Sequence, residues 1–466
     1  MRTKENLLER LRSGQPLSLK QQIKMIVTLS MPAILAQISS IVMQFIDASM
    51  VGQLGANDSA SIGLVASSTW LVHGVSMAAV TGFTVQVAQS IGAGDEKRAR
   101  NIMKQAYVAA IGFSILIAAI AVAISGALPH WLGGAEEICA GATGYFLILN
   151  LALPFLQLNY LSGGLLQASG NMKVPSMLNI MMCALDVIFN ALFIFPTREI
   201  GGITIPGFGL GVLGAALGTA LAETVTALIM TFFLLKKSTM LHLRRGEKLE
   251  FQKQVLSKAV KMAVPIALEQ GITSGAQVAT TRIVSPLGTI AIAANSFAVT
   301  GESFCYMPGY GISSAATTII GQSIGAKRKD LTKRLGWITT ALGMTIMGAS
   351  GLLAFIFAPQ LIGLLSPDPE IVELGASVLR IEALAEPLFA ASIVAMGVFR
   401  GAGDTLMPSL FNLGSIWLIR VPLSAFLAPR LGLRGVWIAM ALELSVRGTL
   451  FLVRLAGKKW RKGLEE

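Results

Sequence analysis

Apolar residues gather along this chain in runs of about twenty, with polar residues mostly in short breaks between them. Twelve such runs stand out, at about 24–50, 60–88, 106–128, 139–166, 172–196, 209–235, 259–284, 290–320, 336–358, 372–399, 406–428 and 434–456. A helix of that length crosses a hydrocarbon core of roughly 30 Å. In lipid only helices and closed barrels leave no backbone group unpaired, and none of the runs alternates with the period of two that a barrel strand needs. The pattern predicts an all-α polytopic membrane protein with twelve transmembrane helices. The first run is too long for a cleaved signal peptide, and no small-residue cleavage site follows it.

The runs repeat. "QSIGA" occurs at Gln89–Ala93 and again at Gln322–Ala326, 233 positions later. The same ungapped offset carries Pro32 to Pro265, Gln37 to Gln270, Gln44 to Gln277, Leu54-Gly55 to Leu287-Gly288, and Pro154 to Pro387. It lays "GNMKVPS" (Gly170–Ser176) on "GDTLMPS" (Gly403–Ser409) and Asn179 on Asn412. Near the end the offset falls to 221, and the extra stretch in the first half, "TREIGGITIPGF", reads as a longer loop. This is an internal duplication with six spans per half. Six is even, so both halves enter from the same side, as parallel repeats. The expected organisation is an N-terminal lobe at 1–235, a cytoplasmic linker at 236–258 and a C-terminal lobe at 259–466, two pseudo-symmetric six-helix lobes around a central cavity. The linker, "KKSTMLHLRRGEKLEFQKQVLSKAVK", spaces its apolar residues as an interfacial amphipathic helix would. "QSIGA" ends spans 2 and 8 and is expected to be a helix-end packing motif, since Gly and Ser permit close approach.

Composition agrees with a membrane class: 53% of residues are hydrophobic and only 13% charged, against roughly 25% charged in a soluble domain. The net charge of +12 would raise nucleic acid as a partner in a soluble protein. Here 30 of the 37 Lys and Arg fall in segments that share one side of the membrane, and Arg198, Arg430 and Arg434 fall on the other. That bias predicts cytoplasmic termini and cations facing anionic lipid, not nucleic acid. Cys139, Cys183 and Cys305 stand singly in apolar runs and read as small core residues, with no metal spacing or disulfide framework.

Ionisable residues inside apolar runs are the candidate chemistry. Asp47, Asp186, Glu223, Glu269, Glu302, Glu386 and Glu443 all lie there. A charge at the bilayer centre costs about 2.5–3.5 kcal/mol, so seven ionised carboxylates in lipid would cost on the order of 20 kcal/mol. They must face an interior, pair, or hold a proton. Arg380, Arg420 and Arg447 are their expected ion-pair partners, and His73 reads as a core histidine. Asn179 and Asn190 lie seven residues before and four after Asp186, on one helix face. A carboxylate with amide oxygens suits a proton or a sodium ion, since hard oxygens suit a small hard cation. Pro32, Pro154 and Pro175 recur in the second half and suggest kinks. HExxH, Walker A and GxSxG motifs are absent, which argues against an enzyme. No cofactor is expected beyond H⁺ or Na⁺ as coupling ion.

At these residues the chain resembles the multidrug and toxin extrusion (MATE) transporters. The likeness rests on "MP…Q…D…MVGQLG" in span 1, both "QSIGA" copies, "ESFCYMPGYGISSAATTIIGQSIGA" in span 8 and "FRGAGDTLMPS" after span 10. It implies an antiporter of the inner membrane, cation-coupled by H⁺ or Na⁺, that works by alternating access as a monomer; acids facing an apolar cavity favour amphipathic, cationic organic compounds as its substrates, with neutral or zwitterionic ones left open. Within the family the chain is more similar to the DinF-like branch, whose two N-lobe aspartates match Asp47 and Asp186; a helix-6 Thr in "GAALGT" matches Thr219. Met182 replaces the Asn of the branch pattern, so the resemblance passes its coordinating role to Asn179 or Asn190, or leaves a proton-only site. Where the NorM-like branch has a Glu and an Asp in the C-lobe, this chain has Thr273 and Phe389. Glu269, Glu302, Glu386 and Tyr310 are the expected lining of the substrate cavity. A lipid-linked precursor flippase, also of two six-helix lobes, is the alternative.

Overall fold

The computed structural model describes residues 7–200, 203–244 and 246–464. The helices are α1 (Leu7–Arg12), α2 (Leu19–Gly52), α3 (Ala56–Gly92), α4 (Glu96–Ile124), α5 (Leu128–Trp131), α6 (Glu136–Leu151), α7 (Leu153–Ala168) and α8 (Lys173–Ile194), then α9 (Gly211–Phe232) and α10 (Lys253–Val284). The second half continues with α11 (Thr289–Gly325), α12 (Lys329–Gly363), α13 (Pro369–Ala383), α14 (Glu386–Ala402), α15 (Leu406–Ser415), α16 (Val421–Leu431) and α17 (Leu433–Ala456). Among the described residues eight spans are long and apolar enough to cross a membrane, and two bent pairs, α6–α7 and α13–α14, raise that to ten. The two runs left, α10 and α11, are 32 and 37 residues long and stand outside that group. They complete the twelve. Outward faces carry large apolar side chains such as Ile115, Leu116, Leu352 and Leu418, as lipid requires.

Proline position explains the bends. Pro154 and Pro387 stand in the first turns of α7 and α14, where the pairs break by 46° and 58°. The helix-N1 region tolerates a missing N–H, whereas the preceding turn cannot continue through it. Pro175 and Pro408 likewise sit in the first turns of α8 and α15. Pro32 and Pro265 lie inside unbroken helices. The turns before α8 and α15 are closed by Gly170 and Gly403, repeat partners that both take the left-handed conformation (φ 89° and 83°), the usual glycine C-cap.

The chain forms two units. One comprises Ser39–Val87 and Glu96–Ala263; the other comprises Met1–Ile38, Ala88–Asp95 and Val264–Glu466. In the first, α8 and α9 pack most extensively. Gly214 and Gly218 permit this: a Cβ at Gly214 would stand 2.4 Å from the Phe193 carbonyl oxygen. The stretch expected as a loop after α8 is instead a hairpin, β1 (Pro196–Ile200) against β2 (Ile203–Phe208), antiparallel with a bulge after Pro196. Its strands carry five β-branched residues, Thr197, Ile200, Ile203, Thr204 and Ile205, which suit a pleated strand.

The linker corrects a second expectation. Residues 238–244 and 246–252 form turns and extended chain, not an amphipathic helix. Their polar groups are taken by α4 instead. Asn101 donates to the Glu250 carbonyl (2.9 Å) and accepts from the Glu250 amide (3.1 Å), and Gln105 accepts from the Gln252 amide (2.9 Å). Arg100, itself buried, forks onto Glu247 at 2.8–3.0 Å and also donates to the Met240 carbonyl. Once α4 satisfies this backbone, helix formation gains nothing further there. The Arg100 hydrogen bond holds the Glu247 carboxyl below its ordinary value. A depressed carboxyl adds stability above its unfolded pKa and loses it as pH falls through the folded value. At pH 7, Glu247→Gln should speed amide exchange over 246–252 by about two- to fivefold, the size of a pair worth roughly 0.5–1 kcal/mol. The difference from wild type should close on acidification below the ordinary glutamate range. An equal difference at all pH would refute the ion-pair account.

In the second unit the two "QSIGA" copies pack on each other reciprocally. A Cβ at Gly92 would lie 2.2 Å from the Gln322 carbonyl oxygen, and one at Gly325 would lie 1.9 Å from that of Gln89. Residue i meets j while the repeat partner of j meets that of i, the signature of a local two-fold axis. Gln89 also donates to the Gly401 carbonyl (3.1 Å). The packing role expected for the motif is therefore a backbone-on-backbone crossing. Gly325→Ala should cost at least about 1–3 kcal/mol, the range for overpacking, read as lost thermal stability. Unchanged stability would show that the crossing opens freely.

Candidate functional site

In the first unit, α2 supplies Asp47, and α8 supplies Asp186 and Asn190 one turn apart. Asn190 Nδ2 donates to Asp47 Oδ1 and to Asp186 Oδ2, both at 3.0 Å. Asp186 and Asn190 are each 1% exposed. Asp186 Oδ1 and Asn190 Oδ1 have no hydrogen-bond partner. Two acceptor oxygens are thus buried together without a donor, a costly arrangement unless something electropositive joins them. Among the described residues, no Lys or Arg pairs with either aspartate. Thr219 on α9 neighbours Asp186. The residue before it, Gly218, is one that sequence reasoning missed: a Cβ there would lie 2.1 Å from Asn190 Oδ1. Its GxxxG partner Gly214 was the available signal.

Asn179 lies apart. It is half-buried, two turns or about 10.5 Å along the helix axis from Asp186, and it is not among the aspartates' hydrogen-bond partners. Met182 instead receives a contact from Asn159 on α7 (Nδ2 to Sδ 3.7 Å). The oxygens at hand suit a small cation or a proton; no group of three or more His, Cys, Asp or Glu arranged to hold a metal occurs among the described residues.

The second unit spends its charges differently. Glu269 on α10 accepts from Ser409 Oγ (2.6 Å) and Asn412 Nδ2 (2.5 Å) of α15. Asn412 is the repeat partner of Asn179, so the same amide position is engaged in one half and not in the other. Glu443 on α17 is fully buried; it accepts from Arg420 Nε (2.9 Å) and pairs with Arg447 Nε (3.2 Å). A five-residue π-helical segment, Ile416–Arg420, delivers Arg420 to this pair, and such bulges often mark functional positions. Arg380 departs from expectation. It donates to the Phe355 carbonyl and lies over the Phe355 ring, without an acid partner among the described residues. Glu302 and Glu386 are buried. So is Glu382, which sequence reasoning missed because it ends α13 just before the bend. The carboxylate oxygens of Glu382 and Glu386 lack hydrogen-bond partners. Tyr310 is 42% exposed.

The duplication does not extend to these groups. The 233 offset places Thr280 opposite Asp47, Ile419 opposite Asp186, Ala36 opposite Glu269 and Leu153 opposite Glu386. Scaffold positions are shared, while each half carries its own chemistry.

Comparison with known proteins follows the same two-fold division. The MatE family profile matches residues 32–192 and again 265–426, and the two matches begin 233 positions apart. "Probable multidrug resistance protein NorM" of Thermotoga maritima is 28% identical over 448 residues, covering 94% of this chain and 93% of its own. "Uncharacterized transporter YisQ" of Bacillus subtilis is 27% identical over 430 residues, covering 90% and 91%. Among solved structures, a multidrug resistance MATE family transporter of the MOP superfamily in an outward-facing conformation superposes with a TM-score of 0.89 at 20% identity, covering 99% of both chains. The Vibrio cholerae MATE transporter VcmN in the bent form gives 0.84 at 20% identity over 96% and 98%. With twelve spans in two related halves, and with the family profile covering most of the sequence, the chain belongs to the MatE family of multidrug and toxin extrusion proteins, which are secondary transporters and not enzymes.

Proposed function

We propose that this protein is a cation-coupled exporter of amphipathic organic compounds that works by alternating access, with both termini on the cytoplasmic side of the inner membrane. One observation carries the coupling: Asn190 bridges two carboxylates that no basic side chain among the described residues pairs with, and two buried oxygens beside it lack donors. A proton or sodium ion supplies what is missing. With a cation bound, the cluster approaches neutrality and tolerates burial; once emptied, it favours exposure to water. The charge crossing the membrane is then worth about 2.3 kcal/mol per 100 mV, enough to drive a second solute uphill. The names of the curated relatives support the drug-export half of this reading. Thr219 completes the coupling site, and Glu269, Glu302, Glu386 and Tyr310 belong to the substrate-binding side.

The test is dye efflux from proteoliposomes with one gradient imposed at a time. A pH gradient alone or a sodium gradient alone should drive efflux of an amphipathic dye. If neither does so while the dye still binds, the coupling assignment is wrong.

A further inference from the structure

Along the linker the backbone is held while two large apolar side chains are left outside. Phe251 is 62% exposed and Leu249 45%. Neither sits in a slack loop. Asn101 holds Glu250 through both its carbonyl and its amide, and Gln105 holds the Gln252 amide, so Phe251 is gripped on either side. Asn101 and Gln105 stand about 6 Å apart along α4. Glu250 and Gln252 cover about 6.6 Å of extended chain. The matching spans let the segment run straight beside α4, and alternate residues of such a chain share a face. Leu249 and Phe251 are therefore one apolar pair. The exposed Lys248 and Lys253 bracket them in sequence, and neither lysine pairs with an acid among the described residues.

The helix α4 fixes the height of this pair. Its outward apolar side chains begin at Val108, 57% exposed, and continue with Ile115 and Leu116. Val108 lies about 4.5 Å past Gln105 and about 10.5 Å past Asn101 along the axis. The headgroup layer on each side of the hydrocarbon core is roughly 5–8 Å deep. Phe251, held between the levels of Asn101 and Gln105, stands in that layer. The duplication shows that the scaffold does not demand this exposure. The 233 offset places Pro16 opposite Leu249, Ser18 opposite Phe251 and Gln15 opposite Lys248, and the counterpart stretch turns its own Leu17 inward.

We propose that Leu249 and Phe251, with Lys248 and Lys253, form an anchor for anionic phospholipid, in which the two apolar side chains enter the edge of the acyl region and the two ammonium groups take lipid phosphates. An ammonium is a compact, hydrated charge on a flexible stem, suited to a phosphate at the water boundary. Apolar side chains beside lysines at a membrane surface combine burial with attraction to anionic lipid. The usual carrier of such a pattern is a helix. Here the hydrogen bonds to α4 supply the rigidity that a helix would, so the linker keeps an interfacial role without helical structure.

The probe is Phe251→Trp in the full chain, reconstituted into liposomes whose phosphatidylcholine is brominated high on the acyl chain, with and without phosphatidylglycerol. Emission of the wild type in the same bilayers is subtracted. The symmetric bilayer makes the result independent of which side the linker takes, and no ion gradient enters, so the outcome is separate from that of the coupling assignment. The introduced tryptophan should be quenched by the brominated lipid, and more strongly where phosphatidylglycerol is present. Two lysines favour the anionic surface by about thirtyfold. Adding Lys248→Gln and Lys253→Gln should therefore bring quenching in the anionic bilayer down to that in the neutral one. All three positions are exposed, so thermal unfolding in detergent should stay at the wild-type temperature. A tryptophan unquenched by lipid and open to aqueous acrylamide would overturn the proposal. So would one shielded from both quenchers, which would place a protein surface, such as a second copy of the chain, over the site. Equal quenching in the two bilayers, or no change on removing the lysines, would overturn it as well, since the lysines would then read no headgroup.

Discussion

Asp186→Asn should reduce gradient-driven efflux to the passive leak while raising thermal stability. The substitution keeps the shape and one acceptor oxygen, so Asn190 can still donate as it does at 3.0 Å. What is lost is the ability to exchange a cation. At 1% exposure, an ionised carboxylate at this point carries a desolvation cost of several kcal/mol that no basic residue offsets. Removing it should stabilise the unit by about 1–3 kcal/mol, as replacement of uncompensated buried polar groups does. Loss of transport together with a gain in stability separates a coupling residue from a structural one, whose removal lowers both. Asp47→Asn should lose transport equally but gain less stability, because Asp47 is only half-buried. Efflux by Asp186→Asn above about a tenth of the wild-type rate, against an opposing dye gradient, would remove Asp186 from the coupling step.

Glu443→Gln should have the largest effect on the fold. The variant strands Arg420 and Arg447 together in the interior with no carboxylate between them. Breaking a buried ion pair from one side costs about 3–5 kcal/mol. At about 2–4 °C per kcal/mol for a unit of this size, that is roughly 6–20 °C in unfolding temperature. Pairing the change with Arg420→Gln removes one of the stranded charges and should recover much of the loss. The double variant is expected to be more stable than Glu443→Gln alone, a non-additivity that only directly coupled groups show. If the single variant unfolds at the wild-type temperature, the triad contributes little to the fold.

The membrane class, the twelve spans and the duplication were all present in the linear pattern. Transfer of a side chain from water to hydrocarbon depends on that side chain and adds along the chain, so run length and composition carry it without knowledge of neighbours. The repeat was readable because it is a property of the string itself. The partnership of Asp186 with Asn190 was partly legible, since a spacing of four fixes one turn of any helix. Asn179 lies on the same face but two turns, about 10.5 Å, from Asp186 along the axis; a shared face does not mean a shared height.

The tertiary structure decided everything that depends on which turns of different helices meet. The same proline breaks a span at Pro154 and Pro387, opens a helix at Pro175 and Pro408, and passes unnoticed inside helices at Pro32 and Pro265; the flanking packing selects among these outcomes. The linker's periodicity favoured a helix, but α4 offered its backbone better partners. Asp47 joins Asn190 across 143 positions and Arg420 joins Glu443 across 23, contacts made where glycines such as Gly218 remove the Cβ that would hold the helices apart. Hydrophobic burial is local and additive, so sequence alone determined that the chain crosses the membrane twelve times in two halves; polar pairing is short-ranged and depends on close approach, so only the folded packing decided which buried charges are satisfied and which remain unpaired.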